Sequence, residues 1–193
     1  DIWFAVSCMA IHLSGNTHVP LEKTIGVAGL EDVACQLSAS MVISNIEAKG
    51  DFVLTDSGRV RETGAENYSD SLSFDFPASD MTCDIMFTTG TTGKSKGVAV
   101  SHRAVVAVSE NVQYGAGIIE DNVYLVPAPI NHASAIRKLY VSILTGTTVV
   151  LLDGFKDIRK FYKCIEDYGV TSILMPPAAV RMLLLLSKKQ LAK

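Results

Sequence analysis

The run Phe87-Thr88-Thr89-Gly90-Thr91-Thr92-Gly93-Lys94-Ser95-Lys96-Gly97 holds three glycines, five hydroxyl side chains and two lysines, with nothing apolar after Phe87. It has no face to bury, so it reads as a loop. Glycines let the backbone turn its N–H groups inward at φ values that other residues resist. Successive inward N–H groups make a nest for an anion. Hydroxyls add donors, and a lysine adds a point charge on a flexible stem. The chemistry these residues predict is the holding of a polyphosphate. A plain Gly/Ser/Thr linker is the competing reading. Two lysines, and the apolar runs Cys83–Phe87 and Val98–His102 on either side, argue against it.

Two familiar phosphate loops do not fit. The Walker pattern G-x-x-x-x-G-K-[ST], read back from Gly93-Lys94-Ser95, needs a glycine where Thr88 stands. The dinucleotide pattern G-x-G-x-x-G fails because the glycines fall at 90, 93 and 97. The segment instead resembles the ATP-binding signature of the adenylate-forming enzymes, which include acyl-CoA synthetases, peptide-synthetase adenylation domains and luciferases. Their pattern, roughly [FY]-[ST]-[ST]-G-[ST]-T-G-x-P-K-G-V, is matched from Phe87 to Val98 except at Ser95, where proline is usual. Proline would have fixed one φ, so Ser95 loosens the loop without removing a phosphate contact.

Two further stretches resemble the family in the expected order. Ser14 to Leu21 follows its A-G-x-x-x-V-P-L, and Pro129, His132 and Ala135 follow its P-x-x-H-x-x-[GA]. The resemblance implies that Thr88, Thr89, Gly90, Thr91, Thr92, Gly93 and Lys96 bind ATP, with Lys96 also catalytic. It places His132 beside the acyl pocket and the adenylate. A carboxylate would attack the α-phosphorus of magnesium-bound ATP, and a thiol, coenzyme A or phosphopantetheine, would then displace AMP. Amino-acid-activating relatives carry F-D-x-S where this chain has Ile130-Asn131-His132-Ala133. The missing aspartate favours an acid without an α-amino group, as in fatty acid metabolism.

The elements that must position these residues are legible in outline. Ile2–Leu13 reads as a buried helix ended by Gly15, and Asn16–Thr24 as a short strand stopped by Pro20. Leu30, Val33, Ala34 and Leu37 share one face of a helix over Gly29–Ala39. Met41–Ser44 is a predicted strand, Phe52–Leu54 and Val60 flank a hairpin turn, and Thr63–Pro77 reads as a linker. After the loop come a helix over Arg103–Gln113, with Ala104, Val105 and Val108 inward and Ser101 ahead of it as N-cap, and the strand Val123–Val126. Helix Ala133–Leu144, strand Thr148–Leu152, helix Ile158–Tyr168 capped by Asp157, strand Ser172–Met175 and helix Ala178–Leu186 complete the series. The run Leu183–Ser187, apolar on all sides, implies burial, within this chain or against parts absent from it. Strand and helix in alternation predict an α/β fold, a parallel sheet layered with helices. The expected division is a first α/β portion over 1–77 and a phosphate-loop portion over 78–193.

Composition narrows the rest. A net charge of −3 and the lack of a Lys/Arg stripe exclude a nucleic-acid partner on electrostatic grounds. Cys8, Cys35, Cys83 and Cys164 lie far apart in apolar surroundings, which reads as reduced thiols in the cytoplasm. His12 and His18 read as structural, Asp75, Asp80 and Asp84 as solvated loop carboxylates, and no metal ligand is assigned. The apolar start is too short to span a bilayer. A chain opening at Asp1 in mid-helix reads as part of something longer, without the family's adenine, ribose and lysine-bearing lid segments, and is expected to be inactive by itself. Alternatives left open are an aminoacyl-adenylating domain, a P-loop phosphotransferase and a non-catalytic nucleotide-binding module.

Overall fold

Val123, Tyr124, Leu125 and Val126 form the middle strand of a parallel sheet, as a run of large residues without a polar side requires when both faces are covered. The computed structural model describes residues 2–44, 53–55, 76–88, 96–152, 154–155 and 157–191. In chain order its elements are α1 (Ile2–Leu13), α2 (Val27–Gln36), β1 (Met41–Ile43), β2 (Val53–Thr55), β3 (Thr82–Thr88), β4 (Lys96–Ser101) and α3 (His102–Ala116). There follow β5 (Val123–Val126), α4 (Ala133–Thr145), β6 (Thr148–Leu151), α5 (Ile158–Asp167), β7 (Ser172–Ile173) and α6 (Pro177–Leu191). The chain divides into two compact units, Asp1–His102 and Arg103–Lys193.

In the second unit the strand order is β6-β5-β7, all parallel, with Val123 opposite Thr148 and Tyr124 opposite Ser172. The two-residue period of β5 splits its side chains between two cores. Tyr124 and Val126 pack with Ile118, Ala135 and Val141, while Leu125 packs with Val150, Leu152 and Phe161. Helix α4 therefore supplies one core and α5 the other, the layered arrangement expected of the sequence. The Asp157 carboxylate accepts from the amides of Arg159 and Lys160 at 3.0 and 3.2 Å and starts α5 as anticipated.

In the first unit, Leu30 and Ala34 of α2 bury against Val42 of β1, which runs parallel to β2. β3 and β4 form an antiparallel pair, and β4 passes directly into α3.

Four expectations need correction. The stretch from Asn16 forms no strand, only a single bridge from His18 to Asp84, because Pro20 cannot donate to a ladder. Helix α1 buries Ala5 and Cys8 but leaves Ile2, Trp3, Val6 and Leu13 exposed, so its apolar run is not enclosed. The same holds for α6, where Leu184 and Leu185 are 56% and 65% exposed. On α3, Val108 is exposed where an inward position was expected, and Ser109 takes the buried place, its hydroxyl donating to Val105 O at 2.8 Å. The Asp56–Val60 half of the anticipated hairpin and most of the Thr63–Pro77 linker lie outside the described residues. Among the described residues, no helix is long and apolar enough to cross a membrane.

Lys138 is the unexpected core residue. It is buried in α4, and its ammonium donates to the Leu174 carbonyl at 3.2 Å. Burial, and then the charge of Arg137, hold its pKa below the ordinary lysine value. The folded state sheds this proton at a lower pH than the unfolded chain. Between those two values the unfolded state binds more protons, so stability rises with pH across a window that closes at the ordinary value of 10.5. Lys138→Met is expected to lose that slope while keeping neutral-pH stability within about 1 kcal/mol of the parent or above it. Urea titrations at stepped pH check both.

Candidate functional site

The hairpin of β3 and β4 sets the mouth of the glycine-rich loop. Its register runs from Thr82 opposite Ser101 to Thr88 opposite Lys96. Thr88 and Lys96 therefore close the ladder where the loop begins and ends, and the Thr88 hydroxyl donates to the Lys96 carbonyl at 3.4 Å. The Lys96 side chain is exposed. Of the expected phosphate contacts, Thr88 and Lys96 are thus brought together. Thr89, Gly90, Thr91, Thr92 and Gly93 lie outside the described residues. A Walker loop joins a strand to a helix, whereas this loop joins a strand to its antiparallel neighbour. The P-loop phosphotransferase reading loses its structural context here.

β4 is exposed from Lys96 to Ala99 rather than interior. Its one close approach is at Gly97, where an added Cβ would lie 2.9 Å from Ile85 Cγ2 and 3.6 Å from the Phe87 ring. The missing side chain is what lets the two strands approach this closely at the loop's foot.

Below the loop, β3 carries Cys83 and Asp84 into a buried polar cluster. The backbone amide of His18 donates to Cys83 O at 2.7 Å, and Ile85 donates to His18 O at 2.9 Å. His18 is thereby held beside Asp84, whose carboxylate is fully buried. Asp84 Oδ1 lies 2.9 Å from His18 Nδ1 and 3.2 Å from His12 Nε2. Cys8 Sγ lies 3.5 Å from the same His18 nitrogen. Burial, and then the Asp84 charge, push the Cys83 thiol up to about 12, so it stays protonated. The His102 ring stands edge-on to His12 with centroids 5.5 Å apart, and burial, then His12, lower its pKa.

This cluster corrects the sequence reading of Asp84 as a solvated carboxylate and of His12 and His18 as lacking partners. The fold supplies their partner from 72 and 66 positions away. One signal was available. Cys8 and His12 are four apart on a helix, hence on one face.

His132 belongs to the second unit. It is the N-cap residue of α4, with its carbonyl accepting from the amides of Ala135 and Ile136 at 2.9 and 3.0 Å. Its ring makes no capping bond and is exposed. It follows the carboxyl end of β5, the side of a parallel sheet on which ligands bind.

The sequence profile of the AMP-binding enzyme family matches residues 2–193. The chain belongs to the AMP-binding enzyme family. It is 31% identical over 144 residues to 2-succinylbenzoate–CoA ligase of Bacillus pumilus, covering 75% of this chain and 29% of that protein. To feruloyl-CoA synthase of an Amycolatopsis species it is 29% identical over 168 residues, covering 85% of this chain and 34% of that one. It thus spans about a third of the length of these curated relatives. Among solved structures, o-succinylbenzoate CoA synthetase of Bacillus subtilis with its acyl-adenylate OSB-AMP superposes with a TM-score of 0.82 at 22% identity. That match covers 95% of this chain and 49% of the synthetase chain. The N-terminal subdomain of NpsA from Klebsiella oxytoca gives 0.81, over 99% and 50% of the two chains. These likenesses establish the fold, that of part of the N-terminal domain of an AMP-binding enzyme.

Gly97→Ala is expected to cost roughly 1–3 kcal/mol, because Cγ2 of Ile85 is fixed to a β-branched carbon and cannot swing aside. Chemical denaturation measures it. A change within a few tenths of a kcal/mol would mean that the strands are not held this closely.

Proposed function

We propose that this chain carries the ATP-phosphate loop and part of the acid pocket of an AMP-forming acid–thiol ligase. The observation that carries the reading is the loop signature from Phe87 to Val98 seated across an antiparallel hairpin, with Thr88 and Lys96 facing each other at its mouth. Membership of the AMP-binding enzyme family supports it.

In this reading the donors of Thr88, Thr89, Gly90, Thr91, Thr92 and Gly93 hold the β- and γ-phosphates of ATP. They stabilise the charge that gathers there as pyrophosphate leaves. Donors fixed in place before the reaction need no reorganisation during it. Lys96 adds a point charge, and its exposed position at the foot of the loop leaves the ammonium free to reach the same oxygens. Magnesium neutralises part of the phosphate charge when bound. The carboxylate oxygen attacks the α-phosphorus, forming the acyl-adenylate. A thiol then attacks the acyl carbon and AMP departs. His132 stands at the N-terminus of α4, where the helix dipole favours an anion, and shapes the carboxylate end of the acid pocket.

The relatives' names mention succinylbenzoate and feruloyl groups, which makes aryl-containing acids the first to try. The absence of an aspartate at 130–133 supports an acid without an α-amino group. A similarity of 22% to cyclosporin synthetase, over 93% of this chain, keeps amino acids in the panel. In the full-length enzyme, acid-dependent exchange of pyrophosphate into ATP tests the activity, with AMP rather than ADP as the nucleotide product. Release of ADP, or exchange indifferent to every acid, would overturn it.

Lys96→Ala is expected to slow that exchange on the order of a hundredfold, as the loss of one preorganised stabiliser does. Unchanged exchange would reject the role. His132→Ala is expected to reorder the ranking of acids by kcat/KM while leaving the KM for ATP within about twofold. An identical ranking would remove His132 from the pocket.

A further inference from the structure

We propose that Cys8, His12, His18 and Asp84 form a structural zinc site. One ligand atom from each of these four side chains lies within 4.8 Å of the others, and Cys8, His18 and Asp84 are buried. The argument rests first on spacing. A tetrahedral zinc with bonds of about 2.0–2.3 Å sets its ligand atoms roughly 3.3–3.6 Å apart. Cys8 Sγ to His18 Nδ1 is 3.5 Å, His12 Nε2 to Asp84 Oδ1 is 3.2 Å, and His18 Nδ1 to Asp84 Oδ1 is 2.9 Å. The last must widen by roughly a few tenths of an ångström, and the widest pair in the set, up to 4.8 Å, must draw in, to admit the ion.

Convergence is the second argument. Both imidazoles aim at the single oxygen Asp84 Oδ1, and both Cys8 Sγ and Asp84 Oδ1 aim at the single nitrogen His18 Nδ1. Four potential ligand atoms gathered this closely are what a coordination shell requires.

Charge is the third. A thiolate, a carboxylate and two neutral imidazoles balance the two charges of zinc, so the loaded site is neutral and tolerates burial. Cys8 releases its proton to solvent on binding. Sulfur with nitrogen and oxygen in a four-ligand set selects zinc over magnesium or calcium, and four protein ligands leave no open position for catalysis. Behind the set, the protonated Cys83 thiol faces Asp84 Oδ2 at 3.7 Å and can hold that carboxylate's orientation. The ion would clamp α1, which supplies Cys8 and His12, to β3, whose far end opens into the loop.

The test uses the full-length protein, purified without a metal-affinity step. Elemental analysis is expected to find one zinc per chain, and cobalt exchanged into the site should give the visible bands of a tetrahedral centre plus a thiolate-to-cobalt charge-transfer band. Cys8→Ser should abolish the charge-transfer band, and His12→Ala should lose stoichiometric metal. If Cys8→Ser fails to fold, His12→Ala decides, and stoichiometric cobalt retained in that variant overturns the proposal. A folded wild type that takes up neither zinc nor cobalt stoichiometrically overturns the proposal. A charge-transfer band that survives in Cys8→Ser does the same, because the metal then sits elsewhere.

Discussion

The antiparallel pairing of β3 with β4 is the constraint on which the rest of the candidate site depends. A loop of glycines, threonines and lysines has little preference of its own, since glycine carries the largest backbone entropy to be lost. Its shape has to be imposed from its ends. Six register pairs from Thr82–Ser101 to Thr88–Lys96 fix those ends, and they place the first hydroxyl and the second lysine of the signature opposite each other. Gly97 lets the strands close, because the space a Cβ would need is filled by Ile85. The same pairing separates this loop from a Walker loop, whose anion site is built on the start of a helix.

β3 is anchored below the loop by polar contacts that are unusual for a strand interior. Asp84 is fully buried, and an isolated carboxylate there would be very costly. His12 and His18 meet it, and the bridge between His18 and Asp84 fixes both at the backbone. The residues that hold the strand come from α1 and from the turn after it, so α1 is tied to the strand that leads into the glycine-rich loop. The family resemblance at Ser14–Leu21 therefore falls on a segment with a mechanical task.

Much of this was legible in the sequence, for identifiable reasons. The β5, α4, β6, α5 and β7 series came through because its signals are local: β-branched runs, the Asp157 cap, and glycines such as Gly146 at φ 75° where a helix stops. The two strands that flank the glycine-rich run came through as well, while residues 89–95 lie outside the described residues. What failed was non-local. That Asp84 would meet two histidines depends on contacts between segments more than sixty residues apart, which periodicity does not encode. Burial of α1 and α6 was over-read from hydrophobicity alone, when an apolar run states only what a helix could cover. Lys138 was missed because a lysine following Arg137 looks like an exposed one until the carbonyl it reaches, Leu174 O, is in place.

The central claim is that this hairpin loop holds the phosphates of ATP while a carboxylate attacks the α-phosphorus. Supplying the full-length enzyme with an acid whose carboxylate carries heavy oxygen tests it most directly. The account predicts that one heavy oxygen passes from the acid to the phosphoryl group of AMP. Heavy oxygen appearing in inorganic phosphate instead of AMP, with ADP as the nucleotide product, would contradict it.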